Sequence, residues 1–578
     1  MPSRLTAASL MLAPLLIGAG VALTATPSHQ APPSAQGGNA LTLPPGFHAT
    51  VFADNLGHVR HIAVTPDGTL YANTWSGAYF TSAPPAPPGP FVVGLKDSDG
   101  DGVADQSARF GASLDADGHG GGHGGTGIAL WHGSLFVEEH DTIVRYPLRA
   151  GNIAPSGPPV TVLSGLPLGG DHPMHPFAID ASGNLIVNSG SASNTCESPN
   201  RQPGAKGATP CTEALTRGGL WSYRADRVGQ VFSPAGRWAT GLRNTGGLSF
   251  DSTGRIFGVQ HGRDQLAQNW PKLYTTEQGV ERPAEILYSP FKGADFGWPT
   301  CYFDGFQNRH VLAPEYGGDG GQAQGICASK APPVAAFPAH MAPNDVSIYV
   351  PASGGHNFPA AYAQGAFIAF HGSWNRAPAP QDGYFVVFQP LKDGKPNGPW
   401  IRFADGFAGP NKEPGRANHR PSGLAVGPDG ALYVADDRRG TIWRITYSGP
   451  ADAPLTAAPA AQFGAVEQAT TQTTLPPGVT AAQVAQGRAI YLGEAKGGTC
   501  AGCHGSDGRG SAAGGSLVGP AWLWSDGSPE GLARTITTGV DHPKKTSGAM
   551  PALGGAPLDA GDVKAVAAYV WTLRQGAS

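Results

Sequence analysis

The stretch Ile62-Ala63-Val64-Thr65-Pro66-Asp67-Gly68-Thr69-Leu70-Tyr71 decides the fold, because it returns almost unchanged as Leu424-Ala425-Val426-Gly427-Pro428-Asp429-Gly430-Ala431-Leu432-Tyr433. Asp-Gly between two apolar runs is a strong hairpin signal. Similar units occur at 128–137, 178–187 and 248–259, and more weakly at 362–370. Six such hairpins predict an all-β six-bladed β-propeller in which each hairpin is the inner part of a blade. A β-sandwich is the alternative, but a sandwich would not need six similar units.

Hairpin geometry places a set of polar residues together. Residues before the first strand and after the second lie at the same end of an antiparallel pair. We therefore expect one mouth of the central channel to collect Arg60, His123, His172, Arg243, Asn244 and Arg420, together with Trp75, residues 261–264, residues 371–376, Asp436 and Asp437. These side chains predict a cationic pocket with histidines, suited to an anionic cofactor and a polar substrate.

A second motif lies near the C-terminus, at Cys500-Ala501-Gly502-Cys503-His504. Two thiols at this spacing reach the vinyl groups of one haem, and the following His supplies an imidazole to iron. A redox C-x-x-C or a zinc pair is the alternative, but it lacks a βαβ setting and a second Cys pair. The motif therefore predicts attachment of haem c through Cys500 and Cys503, with His504 as an iron ligand.

The surroundings of this motif predict a C-terminal all-α cytochrome c domain at 479–578. Helical patterns run over 481–492 and 560–573, and Gly487 and Tyr491 with Tyr569 and Trp571 resemble the crossing of terminal helices in class I cytochromes c. In that family the carbonyl of a Pro segment orients the proximal imidazole. Gly519-Pro520 resembles that segment here, and the imidazole would be that of His504. Met550 is the predicted distal iron ligand, and His542 is its rival.

Composition and the chain start bound the other properties. The chain has 578 residues, 85 Gly, 54 Pro and a net charge of −4, without a basic run. These values predict at least two turn-rich domains and no nucleic-acid or anionic-membrane partner. Residues 1–31 read as a signal peptide cleaved within about 22–31, with an uncleaved anchor as the alternative. The propeller is expected over 40–448 and a flexible linker over 449–478.

Export agrees with the use of cysteine. Four thiols remain after haem attachment, Cys196, Cys211, Cys301 and Cys327, and they allow three pairings. The two sequence-local pairings, Cys196 with Cys211 and Cys301 with Cys327, are the predicted disulfides. Because haem c is attached outside the bacterial cytoplasm, the predicted location is the periplasm.

Four stretches carry a resemblance to a known family: Gly241-Leu242-Arg243-Asn244, Gly293-Ala294-Asp295-Phe296-Gly297-Trp298-Pro299, residues 371–376 and Arg420-Pro421-Ser422-Gly423. Over residues 45–447 the chain resembles the pyrroloquinoline quinone (PQQ) dependent sugar dehydrogenases built on six blades. The fused cytochrome points within that family to the L-sorbosone dehydrogenases. The resemblance implies oxidation of the aldehyde or lactol carbon of a sugar such as L-sorbosone, to L-ascorbic acid or 2-keto-L-gulonic acid, by hydride transfer to PQQ. Electrons would then pass through haem to a respiratory quinone or cytochrome c.

The resemblance also implies roles at the pocket. His172 takes the position of the general base, and His175 is a rival whose spacing fits less well. Arg243 and Asn244 take positions that contact the quinone, where Arg243 would stabilise the charge on its reduced oxygen. Main-chain carbonyls of Gly262 and Arg263 would bind a calcium ion that PQQ also ligates.

The remaining carried-over positions complete this pocket. Arg420 would bind a PQQ carboxylate, and Asp437 would lie near the quinone edge. His123 and Trp374 fall at substrate-contacting positions. The chain departs from the family at two places: a PQQ-contacting Lys is replaced by Asn375 or Arg376, and a second carboxylate-binding Arg is replaced by Ser422. Glucose specificity therefore does not transfer.

Asp97, Asp99, Asp101 and Asp105 form a second candidate calcium site, with Gly102 at the turn. No flanking helices are expected and the bidentate Glu of an EF-hand is missing, so an acidic surface turn is the alternative reading.

Two alternative functions also stay open. Six-bladed calcium propellers include hydrolases such as lactonases, and a carbohydrate-binding propeller could present its cytochrome to a partner enzyme.

Overall fold

Six antiparallel sheets follow one another along the chain in the computed structural model. The structure describes residues 41–74, 87–114, 125–352, 355–376, 379–413, 416–461, 475–493, 495–496, 500–505, 508, 510, 514–518, 522–540, 543–544 and 550–575. The predicted signal peptide and part of the predicted linker lie outside these residues. Each sheet contains four antiparallel strands, and the second gains a short fifth one that pairs in parallel with its neighbour. The sheets are the blades of a six-bladed β-propeller, as the six hairpins predicted.

The chain begins with β1 (Phe47–Ala53). The first blade then contains β2 (His61–Val64), β3 (Leu70–Asn73), β4 (Gly89–Lys96) and β5 (Gln106–Leu114), and the second contains β6 (Ile128–Trp131), β7 (Ser134–Glu139), β8 (Thr142–Pro147) and β9 (Val160–Ser164). The third blade contains β10 (Phe177–Ile179), β11 (Asn184–Ser189), β14 (Gly219–Arg224) and β16 (Arg237–Thr240). Short strands β12 (Glu197–Ser198) and β13 (Lys206–Gly207) form a separate hairpin, and β15 (Gln230–Val231) joins the second blade beside β9.

The strands of the other three blades are β17 (Thr245–Phe250), β18 (Ile256–Gln260), β19 (Glu285–Tyr288), β22 (Ala335–Phe337); β23 (Pro343–Ile348), β24 (Ala366–Phe370), β25 (Phe385–Gln389), β28 (Ile401–Ala404); and β29 (Pro421–Val426), β30 (Leu432–Asp436), β31 (Ile442–Tyr447). Hairpins outside the blades are formed by β20 (Cys301–Asp304) with β21 (Arg309–Leu312) and by β26 (Leu391–Lys392) with β27 (Lys395–Pro396).

The ring closes through its first strand. β1 is the outermost strand of the sixth blade, where Phe47 pairs with Tyr447 and Val51 with Trp443. The last blade is therefore assembled from both ends of the propeller sequence. This closure removes a free sheet edge that would otherwise invite association with other chains.

Apolar side chains hold neighbouring blades together. On β7, Leu135 and Val137 pack toward the first blade, while Phe136 between them packs toward the third. Because strand side chains alternate between faces, one inner strand serves the seams on both of its sides. Each of the six buried clusters around the ring joins two adjacent blades.

The fifth hairpin differs from its prediction. Its second strand, Ala366–Phe370, lies where the pattern placed it, but its partner is Pro343–Ile348. The predicted first strand instead contains a turn of 3-10 helix at Ala360–Tyr362. The short apolar run around Tyr362 packs into the seam between the fifth and sixth blades, and burial in that seam explains its apolar character.

The remaining helices are few and short in the propeller. They are α1 (Leu266–Asn269) and α2 (Thr276–Glu281), with 3-10 turns at Glu213–Leu215, Pro234–Gly236, Pro314–Tyr316 and Gly325–Ser329. Both predicted disulfides are formed, Cys196 with Cys211 and Cys301 with Cys327.

A helical module follows the propeller. It contains α3 (Ala481–Tyr491), α4 (Cys500–His504), α5 (Pro529–Thr538), a 3-10 turn (Ala552–Gly555) and α6 (Ala560–Gln575). A Cβ atom on Gly487 would lie 1.9 Å from the carbonyl oxygen of Ala565, so glycine lets α3 cross α6 closely. Tyr491 meets Tyr569 edge to face at the same crossing, as the sequence predicted. The propeller and this module belong to one compact unit, Asn39–Ser578.

Among the helices of the described residues, none combines the length and the apolar character needed to cross a membrane.

Candidate active site

Strand ends from three blades meet at Asp437, directly after β30. Its carboxylate accepts from Arg60 Nη1 at 2.7 Å and from His371 Nε2 at 2.7 Å. Arg60 precedes β2 and His371 follows β24, so the sixth, first and fifth blades contribute. Burial alone would raise the pKa of Asp437, but His371 and Arg60 outweigh it and hold the pKa well below its usual range. The predicted convergence of strand ends is therefore present in this part of the mouth.

Asp264 is a second junction, four residues after β18. Its carboxylate accepts from Arg243 Nη2 at 2.7 Å, Arg201 Nη2 at 2.9 Å and Asn375 Nδ2 at 2.7 Å. Burial alone would raise the pKa of Asp264, but Arg243 and Arg201 lower it below the usual carboxyl range. Arg201 also binds Asp171, the residue before His172. One buried carboxylate thus holds together groups from the third, fourth and fifth blades.

His172 has a defined tautomer. Its Nδ1 lies 3.0 Å from the Ser191 carbonyl oxygen and 2.9 Å from Ser191 Oγ, and that hydroxyl donates to the Ser193 carbonyl. Both groups facing Nδ1 therefore act as acceptors, so Nδ1 carries the proton and Nε2 presents its lone pair. Burial, reinforced by Arg243 and Arg201, lowers the pKa of His172 well below its ordinary value. The imidazole is neutral near neutral pH.

His175 has different surroundings. Its Nδ1 lies 2.9 Å from Glu138 Oε1, and both side chains are fully buried. Glu138 also accepts from the main-chain N–H groups of Thr126, Gly127 and His175. This pair joins the second blade to the segment before β10, which is a positioning contact between blades.

Two further histidines at the mouth are neutral near neutral pH. Burial lowers the pKa of His371 to about 4 and that of His261 to about 3, with neighbouring arginines acting in the same direction. His261 Nε2 lies 3.0 Å from the Pro343 carbonyl oxygen, so Nε2 carries the proton. Its Nδ1 lies 3.3 Å from Asn244 Nδ2, which fixes the predicted quinone-contacting amide.

The mouth is less cationic than the sequence suggested. Arg60, Arg201 and Arg243 are each paired with an aspartate. Arg420 instead donates to the carbonyl oxygens of His371 and Gly372, at 3.1 and 2.8 Å, and within the described part of the chain it pairs with no carboxylate. Its guanidinium is attracted by Asp437 without a direct ion pair, so its remaining N–H groups can be offered to an anionic ligand.

The other predicted pocket residues are distributed unevenly. Trp374 is half-buried beside Asn375. Arg376 is buried and engaged elsewhere, since Nη2 binds Glu281 at 2.5 Å and Nη1 binds the Ala339 carbonyl at 2.8 Å. Trp75 and His123 lie outside the described residues. Ser422, at a departure from the family pattern, donates to the Val59 carbonyl at 2.7 Å and is fully buried.

The predicted calcium carbonyl of Gly262 already has a partner. Its oxygen accepts from Arg243 Nη1 at 2.8 Å, which leaves one lone pair for a cation. Asp264, bonded to the same guanidinium, supplies compensating negative charge. The Arg263 side chain turns away to Glu315, 2.6 Å from Nη1. The carbonyl and carboxylate oxygens at this position are the type of ligand that a hard cation binds. A cation bound there would share the carbonyl oxygen of Gly262 with the Arg243 guanidinium.

The acidic loop between β4 and β5 gathers three of its four predicted ligands. Carboxylate oxygens of Asp97, Asp99 and Asp101 lie within 4.8 Å of one another. Asp105 instead accepts from the main-chain N–H and hydroxyl of Ser98. Three carboxylates at this separation are the type of ligand that a hard cation binds.

The helical module forms a cleft around the C-x-x-C-H motif. Cys500, Cys503, His504 and Met550 line it, together with apolar side chains of α5 and α6. His504 Nδ1 lies 2.7 Å from the Gly515 carbonyl oxygen, which leaves Nε2 for iron. The orienting carbonyl is therefore that of Gly515, whereas the predicted Gly519-Pro520 segment and the rival ligand His542 lie outside the described residues. Two thiols, an imidazole and a thioether in one apolar cleft fit a c-type haem.

Propeller residues complete this cleft. Pro203, Gln265, Gln268 and Asn269 line it beside Cys503 and His504. Gln265 directly follows Asp264, whose carboxylate binds Arg243 and Arg201 at the mouth. This arrangement could not be predicted, because neither the loop of Arg201 nor α1 carries a recognisable motif. Asp171 and Arg201 were missed for the same reason, although Asp171 stands beside a predicted base.

Comparison with known proteins identifies two matching families. The profile described as TrAA12-like matches residues 41–448. The profile described as cytochrome C oxidase, cbb3-type, subunit III matches residues 482–570. The residues between the two matches, 449–481, include the predicted linker at 449–478.

Among curated proteins, a pyrroloquinoline quinone-dependent pyranose dehydrogenase from Coprinopsis cinerea is 29% identical over 239 residues, covering 36% of this chain. The chain spans 31% of the length of that relative. Among solved structures, the family AA12 protein of Trichoderma reesei superposes with a TM-score of 0.55 at 19% identity, covering 71% of this chain and 98% of the other. The PQQ domain of the Coprinopsis cinerea pyranose dehydrogenase gives 0.55 at 19% identity, covering 72% and 99%. At these identities the structural likeness establishes the fold alone.

Proposed function

The chain belongs to the TrAA12-like family, and on that premise we propose that it is a PQQ-dependent sugar dehydrogenase that passes its electrons to a haem c of its own. A relative at 29% identity is named as a PQQ-dependent pyranose dehydrogenase. The observation that carries the proposal is the continuity of the two sites. The Asp264 junction that holds Arg243 and Arg201 continues within one residue into the wall of the haem cleft.

The mouth residues divide the work of binding and proton transfer. Arg420, without a carboxylate partner among the described residues, and Arg243 would hold the acidic cofactor, since PQQ carries three carboxylates. PQQ, when bound, supplies the acceptor for a hydride from the sugar carbon. His172 Nε2 takes the proton from the hydroxyl on that carbon, because Ser191 fixes the other ring nitrogen as the donor.

The reaction then balances as follows. A lactol loses one hydride and one proton and becomes a lactone, or a hydrated aldehyde becomes an acid. Reoxidation of the reduced cofactor would release two protons and two electrons, and a haem held by Cys500, Cys503, His504 and Met550 would supply a one-electron acceptor for them. A His and a Met on iron suit this role, because a thioether ligand raises the reduction potential relative to a second imidazole.

We further propose L-sorbosone as a substrate and the periplasm as the location. Support comes from the four family-like stretches joined to a cytochrome, and from the apolar run at 5–23 with the two disulfides. Calcium is proposed at the Gly262 carbonyl, and a second calcium at Asp97, Asp99 and Asp101.

The test is sugar-dependent reduction of the haem. Haem-loaded protein without PQQ is reconstituted with PQQ, with or without calcium, and mixed with L-sorbosone while the haem absorption is followed. We expect reduction that requires PQQ and falls by about 100-fold or more in His172→Ala, the usual contribution of a general base. His48→Ala, an exposed histidine on β1, is the matched control and should reduce at the wild-type rate.

Each other outcome is informative. If another sugar reduces the haem and L-sorbosone does not, only the proposed substrate is wrong. Equal rates with and without calcium would remove calcium from the reaction. An absence of PQQ binding, with no sugar reducing the haem, would contradict the dehydrogenase itself.

A further inference from the structure

We propose that residues 265–269 and the disulfide-closed loop 196–211 form the electron-transfer wall, the surface through which electrons leave the propeller for the haem of the same chain, and that Arg201 is its positioning residue. The inference rests on the proposed function. It assigns a role to residues that take no part in binding the sugar or moving its proton.

The electron-transfer wall is held as one piece. Arg201 binds Asp171 and Asp264 at 2.8 and 2.9 Å, and its Nη1 reaches Gln265 Oε1 at 3.3 Å. Farther along the loop, the Gly204 N–H donates to the Asn269 carbonyl at 2.9 Å. The Cys196–Cys211 disulfide closes the loop at its base. Side chains restrained from several directions lose little further freedom when another surface packs on them.

The wall faces the haem side of the molecule. Pro203 from the loop and Gln265, Gln268 and Asn269 from the α1 region line the cleft that also contains Cys503, His504 and Met550. The opposite end of the same segment is Asp264, bonded to Arg243 at the mouth. Only one peptide link therefore separates a residue of the mouth from a residue of the cleft. Electron tunnelling weakens steeply with distance, and no other described propeller residues line this cleft.

Charge also distinguishes this wall from an ordinary surface. Arg201 is 6% exposed and contacts both the mouth and Gln265. A buried charge acts over a longer range than an exposed one because water screens it less. Changes of charge at Arg201 or Gln265 should therefore reach the iron, whereas changes on a distant blade should not.

The first experiment measures the haem reduction potential of the haem-loaded full chain, without sugar. Gln265→Glu should lower the potential, because a carboxylate stabilises the ferric form. Gln106→Glu introduces the same charge at an exposed position of β5 and should leave the potential unchanged. Arg201→Gln should also lower the potential, whereas Arg201→Lys should largely restore it. Equal potentials for Gln265→Glu and Gln106→Glu would overturn the proposal.

The second experiment separates electron transfer from sugar oxidation. Gln268→Trp inserts a bulky side chain into the electron-transfer wall, and Gln106→Trp is its control. We expect Gln268→Trp to slow haem reduction by sugar about tenfold or more, while reduction of a small dye by the propeller stays at the wild-type rate. Equal loss of both activities would place the effect at the mouth and overturn the proposal.

The two failures can be told apart. If no sugar reduces the haem of the wild-type chain, the proposed function fails. The potentials of the charge variants still decide whether this wall adjoins the haem.

Discussion

The haem cleft and the propeller mouth are built in opposite ways. In the cleft, both thiols and the proximal imidazole come from the single short helix Cys500–His504, and one methionine completes the set. At the mouth, Asp437 joins groups from three blades, and Asp264 joins groups from three blades as well. The cleft is specified locally and the mouth is assembled from distant segments.

This difference has a thermodynamic consequence. Cys500, Cys503 and Met550 in the cleft carry uncharged side chains, so changing them leaves no buried charge unbalanced. The mouth groups are charged, buried and mutually bonded, so removing one leaves another uncompensated. Substitutions in the cleft should therefore abolish one function cleanly, whereas substitutions in the mouth should cost stability as well.

The largest effect should follow from removing the haem thiols. Cys500→Ser combined with Cys503→Ser leaves no group for covalent attachment, and we expect complete loss of the haem absorption band. Dye reduction by the PQQ-loaded propeller should persist, because the blades keep their own core. Loss of both activities would show that the propeller depends on the haem for its structure, and the contrast between the regions would disappear.

A large but graded effect should follow at the Asp264 junction. Asp264→Asn removes the charge that balances Arg243 and Arg201, and losing one partner of a buried ion pair costs about 3–5 kcal/mol. The measurement is denaturant unfolding of the propeller followed by tryptophan fluorescence. Asp226→Asn, which breaks the exposed pair with Arg224, should give no measurable change. Equal effects at the two positions would contradict the view that the mouth is a network.

A smaller effect should appear as a pH dependence. The folded pKa of His371 is about 4, below the ordinary value near 6.5, because burial and Arg420 oppose its charge while Asp437 favours it. The folded state therefore resists protonation, and stability falls as pH decreases from about 6.5 toward 4. One such group contributes about 1.4 kcal/mol per pH unit in this window.

His371→Gln should flatten this slope. The free energy of unfolding is measured at pH 7, 6 and 5 for the variant and the wild type. Asp437, whose folded pKa is depressed, loses its contribution only at lower pH, so it does not mask the effect. An unchanged slope would place the acid sensitivity at other buried histidines whose pKa is lowered, such as His172, His261 or His340.

The sequence predicted most of the fold, since five of six inner hairpins carry an uninterrupted strand–turn–strand pattern. The fifth failed because its two strands are separated by residues 349–365, which include a helical turn. A local pattern cannot pair strands across such an insertion. The apolar residues around Tyr362 in this insertion were therefore predicted, wrongly, as the first strand of the hairpin.

For the sites, sequence reasoning found the residue types but not their partners. Arg243 was predicted as a pocket cation, yet its pairing with Asp264 depends on contacts across blades. Arg201 carries no signal, because only the folded disulfide loop brings it to Asp264. The proximal imidazole was predicted, whereas its orienting carbonyl, at Gly515, was not. Any residue can offer a main-chain carbonyl, so sequence does not reveal which one is used.

The pairing of β1 with β31 sets the order in which this protein can mature. His48 and Ser448 at this seam are 400 positions apart and lie 2.8 Å from each other. During synthesis the first strand has to wait, unpaired, until nearly the whole ring has emerged. The predicted site of haem attachment, Cys500, lies beyond that point in the chain. A haem-bearing chain with an open ring would thus be a mark of arrested maturation, detectable as protease sensitivity at β1 in a fraction that already absorbs as a cytochrome.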